Sequence, residues 1–569
     1  MKIIYLLSSF FLVIGWVLPI HFPPWQTSYQ EFIAAISLLL LLIVLIKNNT
    51  SRIGISGIFI IAIAAIPAVQ YSQGWIHYSG DMLHSMIYIV LFGLSVFVGR
   101  NIEKNKDDID FEQLLGWVFI VGALLSLIVA MLQWLKISEG ADIALFTPLR
   151  NGRPYANLGQ PNNLATLFGF GLAGVFYLFE KNKIKNCFAL VLAGLLAFGL
   201  ALTQSRTPWV VAAILPFFWL WQSRRMPLRT TSRHVLLLVA VYAGFVLMLP
   251  VLGRFLDVSV SSVLDRATQA HRWDMYKQAL YFIAHGPWHG FGWGQIESAH
   301  YLFAGQAPSA IFYHYSHNIV LDMLLWNGPW IGGAIVVFFA VWLGKLFFQK
   351  NTVESLFAWV GLFFFLTHSM LEYPHAYLFL LLPAGLLIGV IEGQRKNRSF
   401  EIPVPKMLVA IMAVAGLAGT AVFWKNYSII EDDYRAANRR IQADFIPEEL
   451  QAASRTVLLS NVQSFIYFMR LPLKEGYSEE RLQWIGKFIT RYPRKFSLVK
   501  FSYILALNGR KDEAITQIIK VKEIFGISAL EEALGYLHHE SDRNPALLPV
   551  LAHFGLVKDA PPLQAGSTP

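Results

Sequence analysis

Residues 31–46, EFIAAISLLLLLIVLI, and residues 116–135, GWVFIVGALLSLIVAMLQWL, approach or exceed the roughly 20 helical residues that cross a hydrocarbon core of about 30 Å. In lipid every backbone N–H and C=O must be paired internally, so such runs are expected as helices. About thirteen of them are read along the chain, near 3–20, 32–46, 53–69, 82–99, 113–135, 162–180, 186–203, 208–222, 234–252, 318–345, 354–371, 375–391 and 405–424. With 55% hydrophobic and 14% charged residues and a mean hydropathy of +0.49, the chain lies outside the range of soluble globular proteins. Lys2 and the apolar run after it are like a secretory signal. The following WVLPIHFPPW has no small-x-small cleavage site, and an uncleaved first span is expected.

A net charge of +10 could suit nucleic acid, but the basic residues form no single stripe or arm. They follow the even-numbered spans: Lys47 and Arg52; Arg100, Lys104 and Lys106; Lys181, Lys183 and Lys185; Arg224, Arg225, Arg229 and Arg233; Lys345 and Lys350; Arg395, Lys396, Arg398 and Lys406. The positive-inside rule then puts the N-terminus in the cytoplasm and everything after residue 424 outside. It also sends HFPPW, NGRPYANLGQPNN, TQSRTPW, HYSHN and LEYPHAY to one external face. Cys187 is the one cysteine, which removes most support for disulfides, thiolate zinc sites and iron–sulfur clusters.

The external loop 253–317 is too long for a simple connector and holds an amphipathic piece, HRWDMYKQALYFIAH, before GPWHGFGWGQ. The expected fold is therefore all-α: a polytopic membrane bundle over 1–424, a soluble helical domain over 425–558, and a disordered tail over 559–569. FSYILALNGRKDEAITQIIKVKEIFG is like one tetratricopeptide helix pair, where three repeats would be needed to establish the array.

Several polar side chains interrupt the apolar pattern. Arg206 lies between two apolar runs, where arginine costs about 2.5–3.5 kcal/mol, and is either a snorkelling residue or an anion clamp. Arg272 opens the amphipathic loop piece as a solvated arginine or a second clamp; Arg266 competes for that role or pairs with Asp265 or Asp257. His314 and His317 have H-x-x-H spacing, which on a helix places both on one face. They can be read as metal ligands with Asp322 the nearest carboxylate, as a helix-entrance cap, or as a general base. Gln160, Asn162 and Asn163 either cap the next helix or orient a polar substrate. LEYPHAY offers Glu372, Tyr373 and His375, with an interfacial anchor the ordinary role of a tyrosine there.

Together NLGQPNNLATLF, TQSRTPW, RWDMYKQAL with GPWHGFGWGQ, and HYSHNIVLDMLLWNGPWIG resemble the bacterial O-antigen ligase superfamily, and within it the PglL-type protein O-oligosaccharyltransferases, over roughly residues 1–400. The resemblance implies a GT-C-like membrane glycosyltransferase of the Gram-negative inner membrane. It would transfer a preassembled glycan from a polyprenyl (undecaprenyl) diphosphate carrier to Ser/Thr hydroxyls of periplasmic proteins, pilins among them. Carried over by motif, His317 is the general base, Arg206 and Arg272 hold the diphosphate, and Gln160 and Tyr373 are further site residues; Asn162, Asn318, His314 and Arg266 are expected beside the substrates.

Two arginines supply the positive charge in that scheme, so no metal or other cofactor is expected, and no Gly-rich nucleotide fingerprint is present. An O-antigen ligase acting on lipid A core and an O-antigen polymerase are the alternatives within the enzyme class. A polytopic transporter or flippase is the alternative outside it, and predicts charges at the midplane and repeat symmetry between halves.

Overall fold

The computed structural model describes residues 1–47, 50–102, 109–137, 149, 152–256, 258, 271–395, 400–438, 456 and 458–556. Among the described residues nine α-helices precede the long loop: α1 (Lys2–Val17), α2 (Ser28–Val44), α3 (Ile55–Ser72), α4 (Ser79–Ile102), α5 (Phe111–Trp134), α6 (Pro161–Glu180), α7 (Asn186–Thr203), α8 (Thr207–Ser223) and α9 (Ser232–Phe255). The loop contains α10 (His271–His285) and α11 (Ile296–Leu302). After it come α12 (Ile319–Asn327), α13 (Gly333–Phe347), α14 (Val353–Leu371), α15 (Leu378–Gly393) and α16 (Lys406–Asn438). Each expected apolar stretch falls on these helices, that of 318–345 divided between α12 and α13. Among the described residues ten are long and apolar enough to cross a membrane, with α12 and α13 counted as one through the π turn between them. The protein is a multi-pass membrane protein built as a helical bundle.

Packing in lipid depends on close backbone approach, which small residues permit. A Cβ on Gly99 of α4 would stand 2.2 Å from the Leu386 carbonyl oxygen, and one on Gly389 of α15 would stand 2.3 Å from that of Val96, so these two helices meet backbone to backbone. α6 is the most enclosed span and carries the NNLATLF stretch into the core.

Polar contacts separate the bundle into two ends. At one end β1 (Thr50–Gly54) pairs antiparallel with β2 (Glu401–Pro405). There buried Arg100 lies 3.0 Å from Glu392 and 2.5 Å from Glu401, and Lys181 pairs with Glu354. The described basic loops gather at this end. The polar, Pro/Gly-punctuated stretches gather at the other.

The long loop is folded against that second end. α10 buries Met275, Ala279 and Phe282, an i, i+4, i+7 stripe, in a core shared with Phe291, Trp293 and Leu325. Gln70 of α3 stitches it down, donating to the Trp326 carbonyl at 3.0 Å and accepting from Trp293 N at 2.9 Å. Gly328 (φ +71°), where α12 breaks, has no room for a side chain, since a Cβ would meet the Trp288 carbonyl at 1.9 Å.

α16 runs unbroken from Lys406 to Asn438, past residue 424. Among the described residues six more α-helices follow: α17 (Ser460–Arg470), α18 (Glu479–Arg491), α19 (Lys495–Leu507), α20 (Lys511–Phe525), α21 (Ile527–Ser541) and α22 (Leu548–His553). They share a separate core that includes Phe468, Ile485, Phe488, Ile504, Ile518 and Leu537. The tetratricopeptide-like pair is α19 and α20, turned at Gly509 (φ +75°); the expected tail 559–569 lies outside the described residues.

This helical unit is fastened to the end that carries the polar stretches. The buried Arg491 guanidinium grips Asp81 at the start of α4 through Nε (2.9 Å) and Nη2 (3.1 Å), and reaches Glu297 of α11 through Nη1 (2.7 Å).

Candidate active site

A chain of hydrogen bonds joins all five polar stretches. His21 Nε2 lies 3.0 Å from the Asn157 carbonyl. Asn162 Oδ1 accepts from Ser205 Oγ at 2.6 Å. Gln160 Nε2 donates to Glu372 Oε2 at 3.4 Å, and the same carboxylate oxygen faces His317 Nδ1. The other oxygen, Oε1, accepts from Arg272 Nη2. Glu372 is thus the hub, a carboxylate with only 7% of its side chain exposed.

Its position follows from local structure. α14 ends at Leu371, and Glu372 leaves it in an extended conformation with its N–H still donating to the His368 carbonyl at 2.7 Å. Burial pushes its carboxyl up. The hydrogen bond from His317 and the positive charge nearby, that of Arg272 included, outweigh that push and leave its pKa below the usual carboxylate value.

His317 stands in a left-handed backbone conformation (φ +57°), uncommon for a residue with a side chain. The loop around it is pinned on both sides. Ser316 gives its N–H (2.7 Å) and Oγ–H (2.6 Å) to buried Asp322 in the first turn of α12. Asn318 is the N-cap of α12, accepting from Val320 N at 3.0 Å and Leu321 N at 3.3 Å, while its amide donates to the Met370 carbonyl at 3.2 Å. Tyr373 meets the imidazole edge-on at 5.1 Å and stacks on Tyr315 at 4.7 Å. An ionised carboxylate can only accept, so Nδ1 of neutral His317 carries the ring proton and Nε2 keeps the lone pair. The side chain is 27% exposed, open enough for a substrate to reach it.

Arg272, in the first turn of α10, brings its guanidinium to this carboxylate from the long loop. Arg206 is the N-cap of α8, reached through a turn in which Gln204 is left-handed (φ +49°), and the Ser205–Asn162 bond ties that turn to the head of α6. Burial, then the Arg272 charge, lowers the Arg206 pKa, while Glu372 opposes them, so both arginines lie in the field of one carboxylate. Gln160, just before Pro161 of α6, keeps a buried Oε1 that no described protein group bonds. Asn163 instead turns inward, donating to the Leu158 carbonyl at 3.0 Å.

Not every expected residue joins this group. The H-x-x-H pair does not lie on a helix: both histidines precede the Asn318 cap, in a loop that turns them to different carboxylates. His314 Nδ1 pairs with Glu297, the carboxylate held by Arg491, so it belongs to the contact with the C-terminal helices. Asp322 serves Ser316, with His375 Nε2 at 3.5 Å from its other oxygen. Among the described residues no three His, Cys, Asp or Glu side chains are grouped as metal ligands. Arg266 lies outside the described residues. Glu372 had no role assigned from sequence; the available signal was a carboxylate directly after a 19-residue apolar helix, a costly place for a charge.

Residues 188–337, which contain Arg206, Arg272 and His317, match the O-antigen ligase family. Residues 356–532, which contain Glu372, Tyr373 and much of the C-terminal unit, match the family described as virulence factor membrane-bound polymerase, C-terminal. The chain is 28% identical over 523 residues to a general O-oligosaccharyltransferase of Acinetobacter baylyi, covering 90% of this chain and 91% of the relative. It is also 28% identical over 530 residues to a ComP-specific O-oligosaccharyltransferase of the same organism, covering 90% and 94%. Fold, site and sequence likeness converge: the match to the O-antigen ligase family and the likeness to these oligosaccharyltransferases over nearly the whole length support a PglL-type enzyme.

Proposed function

We propose that this protein is an O-oligosaccharyltransferase that moves a preassembled glycan from a polyprenyl diphosphate carrier to Ser/Thr hydroxyls of proteins at the extracytoplasmic face of a bacterial inner membrane. The observation that carries the reading is the cluster of His317, Arg272 and Arg206 about one buried carboxylate, at the bundle end opposite the basic loops.

In this reading His317 Nε2 takes the acceptor hydroxyl proton as that oxygen attacks the anomeric carbon, a contribution of about 10²–10⁴ in rate. The bond to the diphosphate breaks with its electron pair on the leaving group, whose charge Arg206 and Arg272 stabilise. Direct displacement inverts the anomeric centre. Gln160, with its free Oε1, and Tyr373, against His317, orient the sugar and the base. The helices after α16 are the docking surface for a folded acceptor such as a pilin.

Transfer to lipid A core is the second reading, favoured by the O-antigen ligase match over the arginine- and histidine-bearing region. Coexpression with a candidate pilin and a lipid-linked glycan, followed by intact mass, separates the two: glycan mass on the pilin is expected, and a change confined to lipopolysaccharide overturns the protein acceptor. For a transporter the groups of the candidate site stand in the wrong place, gathered at one end and not at the midplane.

A further inference from the structure

We infer that Glu372 is a displaceable counter-ion: without donor it engages both Arg272 and His317, and a diphosphate that takes over Arg272 leaves the carboxylate to His317 and the uncharged Gln160 amide, so the base is strengthened only when donor is seated. The inference rests on the proposed transferase reading.

The geometry puts the two partners on different oxygens, Arg272 on Oε1 and His317 on Oε2, which also accepts from Gln160 Nε2 at 3.4 Å. The two partners are not held alike. Glu372 is fixed at the end of α14 by its backbone bond to His368, and His317 by the Ser316–Asp322 and Asn318 contacts. Arg272 is a long side chain, 30% exposed, on a helix of the external loop. The member of the triad with the longest side chain to redirect is therefore the arginine.

A diphosphate presents several anionic oxygens suited to a guanidinium fork and outbids a single carboxylate for it. The groups that face Glu372 are Arg272 and Tyr276 from α10, Arg206 from the head of α8, His368 from α14, His317 and Tyr373. Once Arg272 turns to the donor, the charge of Glu372 acts mainly on the Nδ1–H of His317 and favours a proton arriving at Nε2. In the step itself the acceptor O–H proton passes to Nε2, Nδ1–H stays donated to Glu372, the acceptor oxygen bonds to the anomeric carbon, and polyprenyl diphosphate departs with the electron pair.

The test uses full-length protein in lipid nanodiscs, with undecaprenyl diphosphate as binding probe and the donor–acceptor pair found by coexpression for turnover. Glu372→Gln keeps the shape but removes the charge. It is expected to bind undecaprenyl diphosphate about tenfold tighter, the competing charge-assisted bond being gone, while transfer at saturating donor falls at least roughly tenfold. A merely structural role would weaken both. Glu372→Asp, which retains the charge but reaches one methylene less far, is expected to bind the probe tighter with a smaller loss of rate, and serves where the glutamine variant does not fold. Probe affinity no tighter in the folded variant, or transfer unchanged in Glu372→Gln, overturns the inference; wild-type protein that neither binds the probe nor transfers glycan overturns the transferase reading instead.

Discussion

His317 and Glu372 stand 55 positions apart in the chain and meet at the ring nitrogen Nδ1, which leaves Nε2 as the basic atom. Replacement by asparagine tests this directly, because Asn tolerates the left-handed backbone that His317 adopts. His317→Asn is expected to lose about 10²–10⁴ in transfer rate with a thermal unfolding midpoint close to wild type. Intact-mass assay of the acceptor and a melting curve read the two quantities.

Each arginine is expected to matter on its own. Arg206→Ala and Arg272→Ala should each lower the transfer rate by about 10²–10³, the loss of one preorganised donor to developing charge. Lysine should restore only part of it, being a point charge without the planar fork. With the leaving-group charge met by guanidiniums, activity is expected to persist in EDTA, measured in the same mass assay.

The Ser205–Asn162 bond sets the turn that carries Arg206. Ser205→Ala and Asn162→Ala should each cost about 1 kcal/mol, seen as weaker donor binding. The double variant should lose less than the sum, because both changes break one bond. Donor titrations on the three variants complete the cycle.

Glu297 supplies the pH dependence. Burial pushes its carboxyl up, yet the bond from His314 and the charges of Arg491, His314 and Arg494 bring it down to about 2 from an ordinary 4.5. A depressed carboxyl stabilises the folded state above its unfolded pKa and ceases to do so as pH falls through the folded one. Attachment of the C-terminal helices should therefore weaken between about pH 4.5 and 2, visible as faster proteolysis after α16. Arg491→Met, which strands two buried carboxylates, should loosen the same contact at neutral pH by about 3–5 kcal/mol.

What was legible in the sequence is what local pattern controls. Run length gave the spans, and the stripe in HRWDMYKQALYFIAH marked α10 from His271 to His285. The H-x-x-H pair misled where a helical period was applied: Asn318 is the cap, so the histidines lie before the first turn. Glu372 lay beyond local reading altogether. Its importance comes from α14 ending where α6, α10 and the His317 loop arrive, a coincidence of contacts 55, 100 and 212 residues apart in the chain.

The Arg491 clasp bears on how the protein is made. A polypeptide stopped after Asn438 would leave Asp81 and Glu297 without the guanidinium that joins them, although the last of the described membrane crossings had already been synthesised. The last quarter of translation is therefore a requirement for the first three quarters, and a clipped version is expected to be cleared by proteases instead of surviving as a smaller enzyme.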